Sequence, residues 1–216
     1  VCLPQDVQVE AYDYPEEFFR KRVWYLDRQP ASAEAVDRAA ELLMSSKKPM
    51  IVSGGGVRYS DAGEAVLALA EEFGIPVAET QAGKGEVNCE SDWYLGCAGI
   101  CGTLSANVIA KQADLILAIG TKLNDFVTNS KNGFAADARF VSINTSRMDA
   151  LKLDAESVVA DAREGIEELH SALQARGWHT EWSNEVPDAK RLWQTELTRL
   201  TQLESPEAKA LNQTRV

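Results

Sequence analysis

The sequence predicts an α/β fold of doubly wound, Rossmann-like type, a parallel sheet of about six strands flanked by helices, with irregular N- and C-terminal arms. Three observations predict it. Short continuous apolar runs such as Met50-Ile51-Val52 and Leu115-Ile116-Leu117-Ala118-Ile119 have the character of strands buried on both faces. These runs alternate with segments whose apolar residues recur at helical spacing, the pattern of βαβ units. Glycines punctuate the exits of the runs, at Gly54-Gly55-Gly56 and Gly120. The chain of 216 residues, 45% hydrophobic, is long enough for one well-buried core. The expected division is an arm over 1–30, a body over 31–177 and a second arm over 178–216.

The N-terminal arm carries Pro4, Pro15 and Pro30 among Tyr12, Tyr14, Phe18, Phe19, Trp24 and Tyr25, with no sustained period and a short helix near Glu16 to Arg22. Aromatic residues this dense should pack on something, either this body or a neighbour. The body opens with a helix from Ser32 to Ser45, where Ala35, Ala39, Leu42 and Leu43 share a face and Ser32 is a candidate N-cap. Pro49 to Ser53 is the first strand, turning at the glycine triplet. A second helix follows from about Asp61 to Phe73, with Ser60 as candidate cap and Gly74 as C-cap. Ile75 to Glu79 is the second strand.

A glycine-rich loop over Gly83 to Gly102 leads to a helix from Thr103 to Ala113, and Asp114 to Gly120 is the clearest strand in the chain. A loop through Asn124, Asp125 and Asn132 precedes a strand at Arg139 to Asn144. Ser157 to Ala160 is a short last strand before a helix from Asp161 to Ala175. Beyond Gly177 the residues Trp178, Trp182 and Trp193 stand in a polar background, with a final helix from about Pro187 to Leu203. Residues 204–216 carry no terminating signal, so the expectation is a domain cut from a longer chain.

Charge narrows the function classes. With 33 acidic against 22 basic residues, the net charge of −11 repels phosphodiester backbones and anionic membranes, which argues against nucleic acid and membrane as partners. No run approaches the roughly 18 consecutive apolar residues of a membrane span, and the opening Val1-Cys2-Leu3-Pro4-Gln5-Asp6 has no signal pattern, so a cytoplasmic location is expected. Cys2, Cys89, Cys97 and Cys101 show no zinc-type spacing and are expected to be free thiols, although Cys97 and Cys101 are near enough in sequence for a disulfide or a minor ligand pair.

In an open parallel sheet, ligands bind outside the carboxyl ends of the strands where strand order reverses. Gly54, Gly55 and Gly56, Thr80, Gly120 and Asn144 are the candidate residues at that edge, because glycine after a strand lets backbone N–H groups approach a phosphate. The triplet departs from Gly-x-Gly-x-x-Gly, with Arg58 two residues after Gly56, so a tight turn with no ligand is as compatible as a phosphate cradle. Arg58 and Lys84 are candidate cations for a diphosphate, or solvated surface charges. His170, on a helix beside Leu169 and Leu173, and His179 have no nucleophile or carboxylate partner in sequence. No Gly-x-Ser-x-Gly, P-loop or His-Glu-x-x-His occurs, so no catalytic residue and no metal ligand is assigned.

The order of helix, Lys48-Pro49-Met50-Ile51-Val52-Ser53 strand, Gly54-Gly55-Gly56, helix, Ile75-Pro76-Val77 strand, glycine loop, helix and Ala113-Asp114-Leu115-Ile116-Leu117-Ala118-Ile119-Gly120 strand resembles the central domain of thiamine-diphosphate-dependent enzymes. The runs Leu3 to Pro15, Glu79-Thr80-Gln81-Ala82-Gly83-Lys84 and Lys152-Leu153-Asp154 resemble one branch, the trihydroxycyclohexane-dione hydrolases of myo-inositol breakdown, which open a cyclic diketone by C–C hydrolysis. The resemblance covers nearly the whole chain. It implies a parent enzyme with thiamine diphosphate and Mg²⁺ held between two other domains, a pyrimidine domain that supplies a glutamate and a diphosphate domain with a Gly-Asp-Gly motif. No Gly-Asp-Gly occurs here. The implied role is therefore a non-catalytic central domain whose partners are those flanking domains, in a parent that is a homo-oligomer. Some relatives hold ADP or FAD in the crevice at Gly54 to Gly56, Thr80, Gly120 and Asn144. An adenine-binding version would place an acid after the strand ending Ile143-Asn144-Thr145, so the asparagine favours an empty, structural crevice.

Overall fold

The computed structural model describes residues 2–202. The expected end of the last helix at Leu203 and the expected cut beyond it lie outside the described residues. After two 3-10 turns in the arm, Val7–Val9 and Glu16–Phe19, the elements run α1 (Ala33–Met44), β1 (Pro49–Ser53), α2 (Gly55–Tyr59), α3 (Gly63–Phe73), β2 (Val77–Glu79), β3 (Tyr94–Cys97), α4 (Leu104–Ala110) and β4 (Leu115–Ile119). They continue with α5 (Asp125–Thr128), β5 (Arg139–Ile143), α6 (Arg147–Ala150), β6 (Glu156–Val158), α7 (Ala162–Gln174) and α8 (Glu185–Thr201).

The six strands form one sheet in the order β3-β2-β1-β4-β5-β6, every neighbouring pair parallel. That is the doubly wound order, whose reversal falls between β1 and β4. Successive strand residues face opposite ways, and the two faces bury different helices. Ile51, Leu115, Leu117, Ile119, Val141 and Ile143 pack with Val36, Leu43, Leu69, Ile166 and Leu173 of α1, α3 and α7. Met50, Val52, Ile116 and Ala118 pack with Ala106 and Ile109 of α4 and with Val186 and Ala189 of α8.

The C-terminal arm thus supplies part of the second layer. Trp182 is buried there, its indole N–H donating to the Pro49 carbonyl at 2.7 Å, with the Lys48 ammonium 5.3 Å from the ring centroid. Lys48 also pairs with Glu185 at the start of α8, which holds that carboxyl down to about 2. Among the described residues no helix is long and apolar enough to cross a membrane.

Local signals divide into those that hold and those that tertiary contacts override. Gly74 takes φ +71° and ends α3 as expected, and the Thr103 hydroxyl caps α4 by accepting from Ala106 N–H at 3.2 Å. Ser32 precedes α1, but its hydroxyl donates to Glu34 at 2.6 Å and caps nothing. Ser60 does not cap the second helix either; Ala62 stands there, and the Ser60 hydroxyl donates to Asp161 at 2.7 Å. The glycine loop contains a strand the sequence does not announce, β3, and the triplet opens a short helix where a bare turn is expected. The outer edge of β3 is closed by side chains: Thr103 and Ser105 hydroxyls both donate to the Leu95 carbonyl at 2.6 Å, which blunts it as a pairing site.

Asp161 ties the body together. Its carboxylate accepts from Arg28, from Ser60 and from the Arg163 N–H at 3.0 Å, and its own N–H donates to the Gln29 carbonyl, fixing the point where the N-terminal arm leaves the body. Asp161→Ala removes a helix cap and strands a buried hydroxyl, so we expect a loss of about 3 kcal/mol. Urea unfolding should show it as a lower midpoint at unchanged slope; an unchanged midpoint would refute it.

Candidate functional site

At the carboxyl ends of β1, β2, β4 and β5 the chain leaves a crevice of about 680 Å³, centred on the switch in strand order. Five of the six residues expected there line it: Gly55, Gly56, Thr80, Gly120 and Asn144. Gly54 does not. It lies beneath, its N–H donating to the Ile119 carbonyl at 2.8 Å, and a Cβ on it would stand 2.4 Å from the Gly120 oxygen.

The polar groups of this crevice are largely engaged with one another. Gly56 N–H donates to the Gly120 carbonyl at 2.9 Å, and Gly120 N–H to the Ile143 carbonyl at 2.8 Å. Asn144 is buried and used at both ends: its Nδ2 donates to the Thr121 carbonyl and its Oδ1 accepts from Ser146 N–H, both at 2.9 Å. Thr80 accepts from Gly83 N–H, and Ser146 caps α6. Asp149 at the rim pairs with Lys152 at 2.7 Å, which holds its carboxyl below the usual range, while Lys152 also donates to the Lys122 carbonyl.

The candidate cations are elsewhere. Arg58 pairs with Glu86 at 2.7 Å and donates to the Lys84 carbonyl, and Lys84 lines a second cavity beside β3. His170 has a carboxylate partner that sequence spacing did not reveal, Glu72 at 2.7 Å on α3, and packs edge-on against Phe73 with ring centroids 5.4 Å apart. Neither it nor His179 lines the crevice.

Sequence reasoning missed Tyr59, Phe126 and Asp149, which also line the crevice. Each belongs to a short helix just past a strand exit, α2, α5 and α6, and that position was the available signal. With Met148 and Leu151 the two aromatic rings give the sheet edge an exposed apolar rim, Tyr59 at 88% and Met148 at 78% of full exposure.

These residues do not fit a magnesium-bound diphosphate. Asp149 is neutralised by Lys152, the Asn144 amide is committed to two loops, the Gly54 and Gly56 amides are bonded to backbone, and α2 is too short to present a useful dipole. No group of three or more His, Cys, Asp or Glu suited to a metal occurs among the described residues.

Comparison with known proteins agrees with this architecture. The family model for the thiamine pyrophosphate enzyme central domain matches residues 36–169. The chain is 45% identical over 208 residues to a 3D-(3,5/4)-trihydroxycyclohexane-1,2-dione hydrolase of Clostridium perfringens, covering 96% of this chain and 33% of that protein. It is 50% identical over 200 residues to the protein of that name from Geobacillus thermodenitrificans, covering 93% and 31%, and 48% identical over 204 residues to the one from Bacillus subtilis, covering 94% and 32%. The chain spans about a third of the length of the curated relatives it matches. A six-stranded parallel sheet in doubly wound order and a family match across most of its body lead to one conclusion: this chain belongs to the family of thiamine pyrophosphate enzyme central domains.

Proposed function

We propose that this chain is the structural and assembly domain of a thiamine-diphosphate-dependent C–C hydrolase that opens trihydroxycyclohexane-dione in myo-inositol degradation, and that by itself it catalyses nothing. In the parent enzyme, thiamine diphosphate and Mg²⁺ sit between flanking pyrimidine and diphosphate-binding domains, and residues 1–30 and 178–216 connect to them on either side of a body at 31–177.

The observation that carries this reading is the N-terminal arm. Tyr12, Tyr14, Phe18, Phe19, Val23, Trp24, Tyr25 and Leu26 are all exposed, Leu26 at 92%, although Tyr14, Phe18 and Phe19 cluster with one another. A water-facing apolar strip of this size is the signature of a surface that is covered in the assembled protein. The arm is anchored at Arg28 and Gln29, and the exposure of its apolar residues leaves them for a neighbouring domain to cover. The mutual engagement of the crevice's polar groups supports a role in holding strand exits together.

A thermal-shift screen tests it. At a hundred times its Kd a ligand stabilises by about 2.7 kcal/mol, which for a chain of this size is a shift on the order of 5–10 °C. We expect no shift with thiamine diphosphate and Mg²⁺, and none with ADP or FAD. A clear shift with thiamine diphosphate would refute the account, and one with ADP or FAD would make the crevice a nucleotide site at Gly55, Gly56, Thr80, Gly120 and Asn144. Turnover of the cyclic diketone by the isolated chain would refute the non-catalytic role.

A further inference from the structure

Three of the four cysteines, Cys89, Cys97 and Cys101, line one cavity of about 580 Å³ bounded by β3, the start of α4 and α8. It shares no lining residue with the switch-point crevice. Cys97 is the last residue of β3 and is partly buried, while Cys101 is exposed.

Between them the chain closes on itself. Thr103 N–H donates to the Cys97 carbonyl at 2.8 Å, Gly102 N–H donates to the Gly99 carbonyl at 2.9 Å, and Gly99 reverses the chain at φ +98°. A Cβ on Gly102 would stand 2.5 Å from the Cys97 oxygen. Cys101 is therefore one peptide step, about 3.8 Å, from a residue packed against the Cys97 carbonyl, and both cysteines line the same cavity. A disulfide needs Cα atoms roughly 4.4–6.8 Å apart, a separation that small adjustment of such a turn can supply.

The turn is also wired to the crevice. Ile100 N–H donates to the Phe126 carbonyl at 2.9 Å, and Asn107 grips Gly99 from both sides, accepting from its N–H at 3.0 Å and donating to its carbonyl at 2.9 Å. Phe126 is a wall of the crevice.

From this arrangement we infer that Cys101 and Cys97 form a hydroperoxide-driven thiol–disulfide switch that clamps the turn over 97–103 and stiffens the crevice wall at Phe126. Exposure makes Cys101 the thiol that meets the oxidant. Its sulfur attacks one peroxide oxygen, the O–O bond breaks, and the departing hydroxide takes a proton to leave as water, with a sulfenic acid on Cys101. The Cys97 sulfur then attacks that sulfur; the S–S bond forms, the S–O bond breaks, and a second water leaves. Two thiols lose two electrons and two protons, and one hydrogen peroxide becomes two waters. Burial raises the Cys97 thiol above its ordinary value against the pull of the Lys84 ammonium, so the thiolate that must attack forms sparingly there and Cys97 is left the second step. Transient disulfides of this kind are the usual form of cysteine redox chemistry in reducing compartments.

The test is to treat the intact chain with hydrogen peroxide, quench with catalase, denature, titrate thiols and map peptides by mass. Four free thiols should fall to two, with one bridge joining Cys97 to Cys101 that dithiothreitol reverses. Amide exchange across 99–103 and 124–128 should slow several-fold in the oxidised form. Cys101→Ser, at an exposed position, should fold normally and form no bridge, while Cys89→Ser should bridge as the parent does. Retention of four thiols, a bridge to Cys89 or Cys2, or overoxidation of Cys101 without a bridge would each overturn the switch. A bridge that leaves exchange at 124–128 unchanged would overturn its coupling to the crevice.

Discussion

Replacing Glu79 with alanine is expected to destabilise the fold by about 4 kcal/mol, a large fraction of the stability of an ordinary domain. Glu79 ends β2 and is wholly buried. It is held by the loop that follows. Oε1 accepts from Gly85, Glu86 and Val87 N–H at 3.1, 2.9 and 2.9 Å, and Oε2 accepts from Gly85 N–H at 3.1 Å and from the Tyr94 hydroxyl at 2.9 Å. Three consecutive amides and a phenol thus share one anion, and removing it leaves them all without an acceptor at a cost of about 1–3 kcal/mol each, partly recovered by water. Unfolding in urea should show the lost stability. A loss under about 1 kcal/mol would mean the loop finds other partners and the carboxylate is incidental.

The same cluster sets an alkaline limit. Burial, then the hydrogen bond to Glu79, raises the Tyr94 hydroxyl well above the ordinary tyrosine value of about 10. The unfolded chain gives up this proton first, so Tyr94 contributes stability that is whole below about pH 10 and falls away as pH rises beyond it. Denaturation between pH 9 and 11 should show a decline that Tyr94→Phe makes shallower.

Much of this fold is legible in the sequence because the parallel strands of its centre are apolar on both faces. β1 and β4 appear where the runs Pro49 to Ser53 and Leu115 to Ile119 place them, each fully buried. β3 escaped because nothing in Tyr94-Leu95-Gly96-Cys97 alternates or persists, and Gly96 takes φ +93°; its strand character is imposed by pairing with β2. The helix at Gly55–Tyr59 escaped for the opposite reason. Two glycines cost a helix about 1 kcal/mol each, so it is tertiary packing, against Ala82 and Gly120, that makes them helical. Ser60 looks like a cap by type and position, and its partner Asp161 lies too far along the chain for any local pattern to reveal. The candidate site followed the same rule. Residues at strand exits were found from topology, while Tyr59, Phe126 and Asp149 were not, because their place depends on short helices that tertiary contacts create.

The glycine triplet offers the sharpest contrast between a packing role and a phosphate-cradling one. A Cβ on Gly56 would stand 2.6 Å from the Gly120 Cα and 3.0 Å from its oxygen, so two strand exits touch backbone to backbone at the switch point. Neither side can yield, because Gly56 N–H is bonded to the Gly120 carbonyl and Gly120, at φ +59°, is bonded onward to β5. Gly56→Ala should therefore cost about 3–5 kcal/mol by forcing β1 and β4 apart. Gly55 differs by one position only. Its Cβ would meet the Ala82 side chain and carbonyl at 3.3 Å, a contact relieved by a few tenths of an ångström, and alanine there gains helix propensity of up to about 1 kcal/mol. Gly55→Ala should thus stay within about 1 kcal/mol of the parent. If the triplet served to bring amides to a phosphate, both alanines would weaken ligand binding and neither would stand out in stability. Thermal unfolding of the two variants separates these cases: a low Tm for Gly56→Ala beside a near-parental Tm for Gly55→Ala is the expected result, and equal Tm values would remove the packing explanation of the motif.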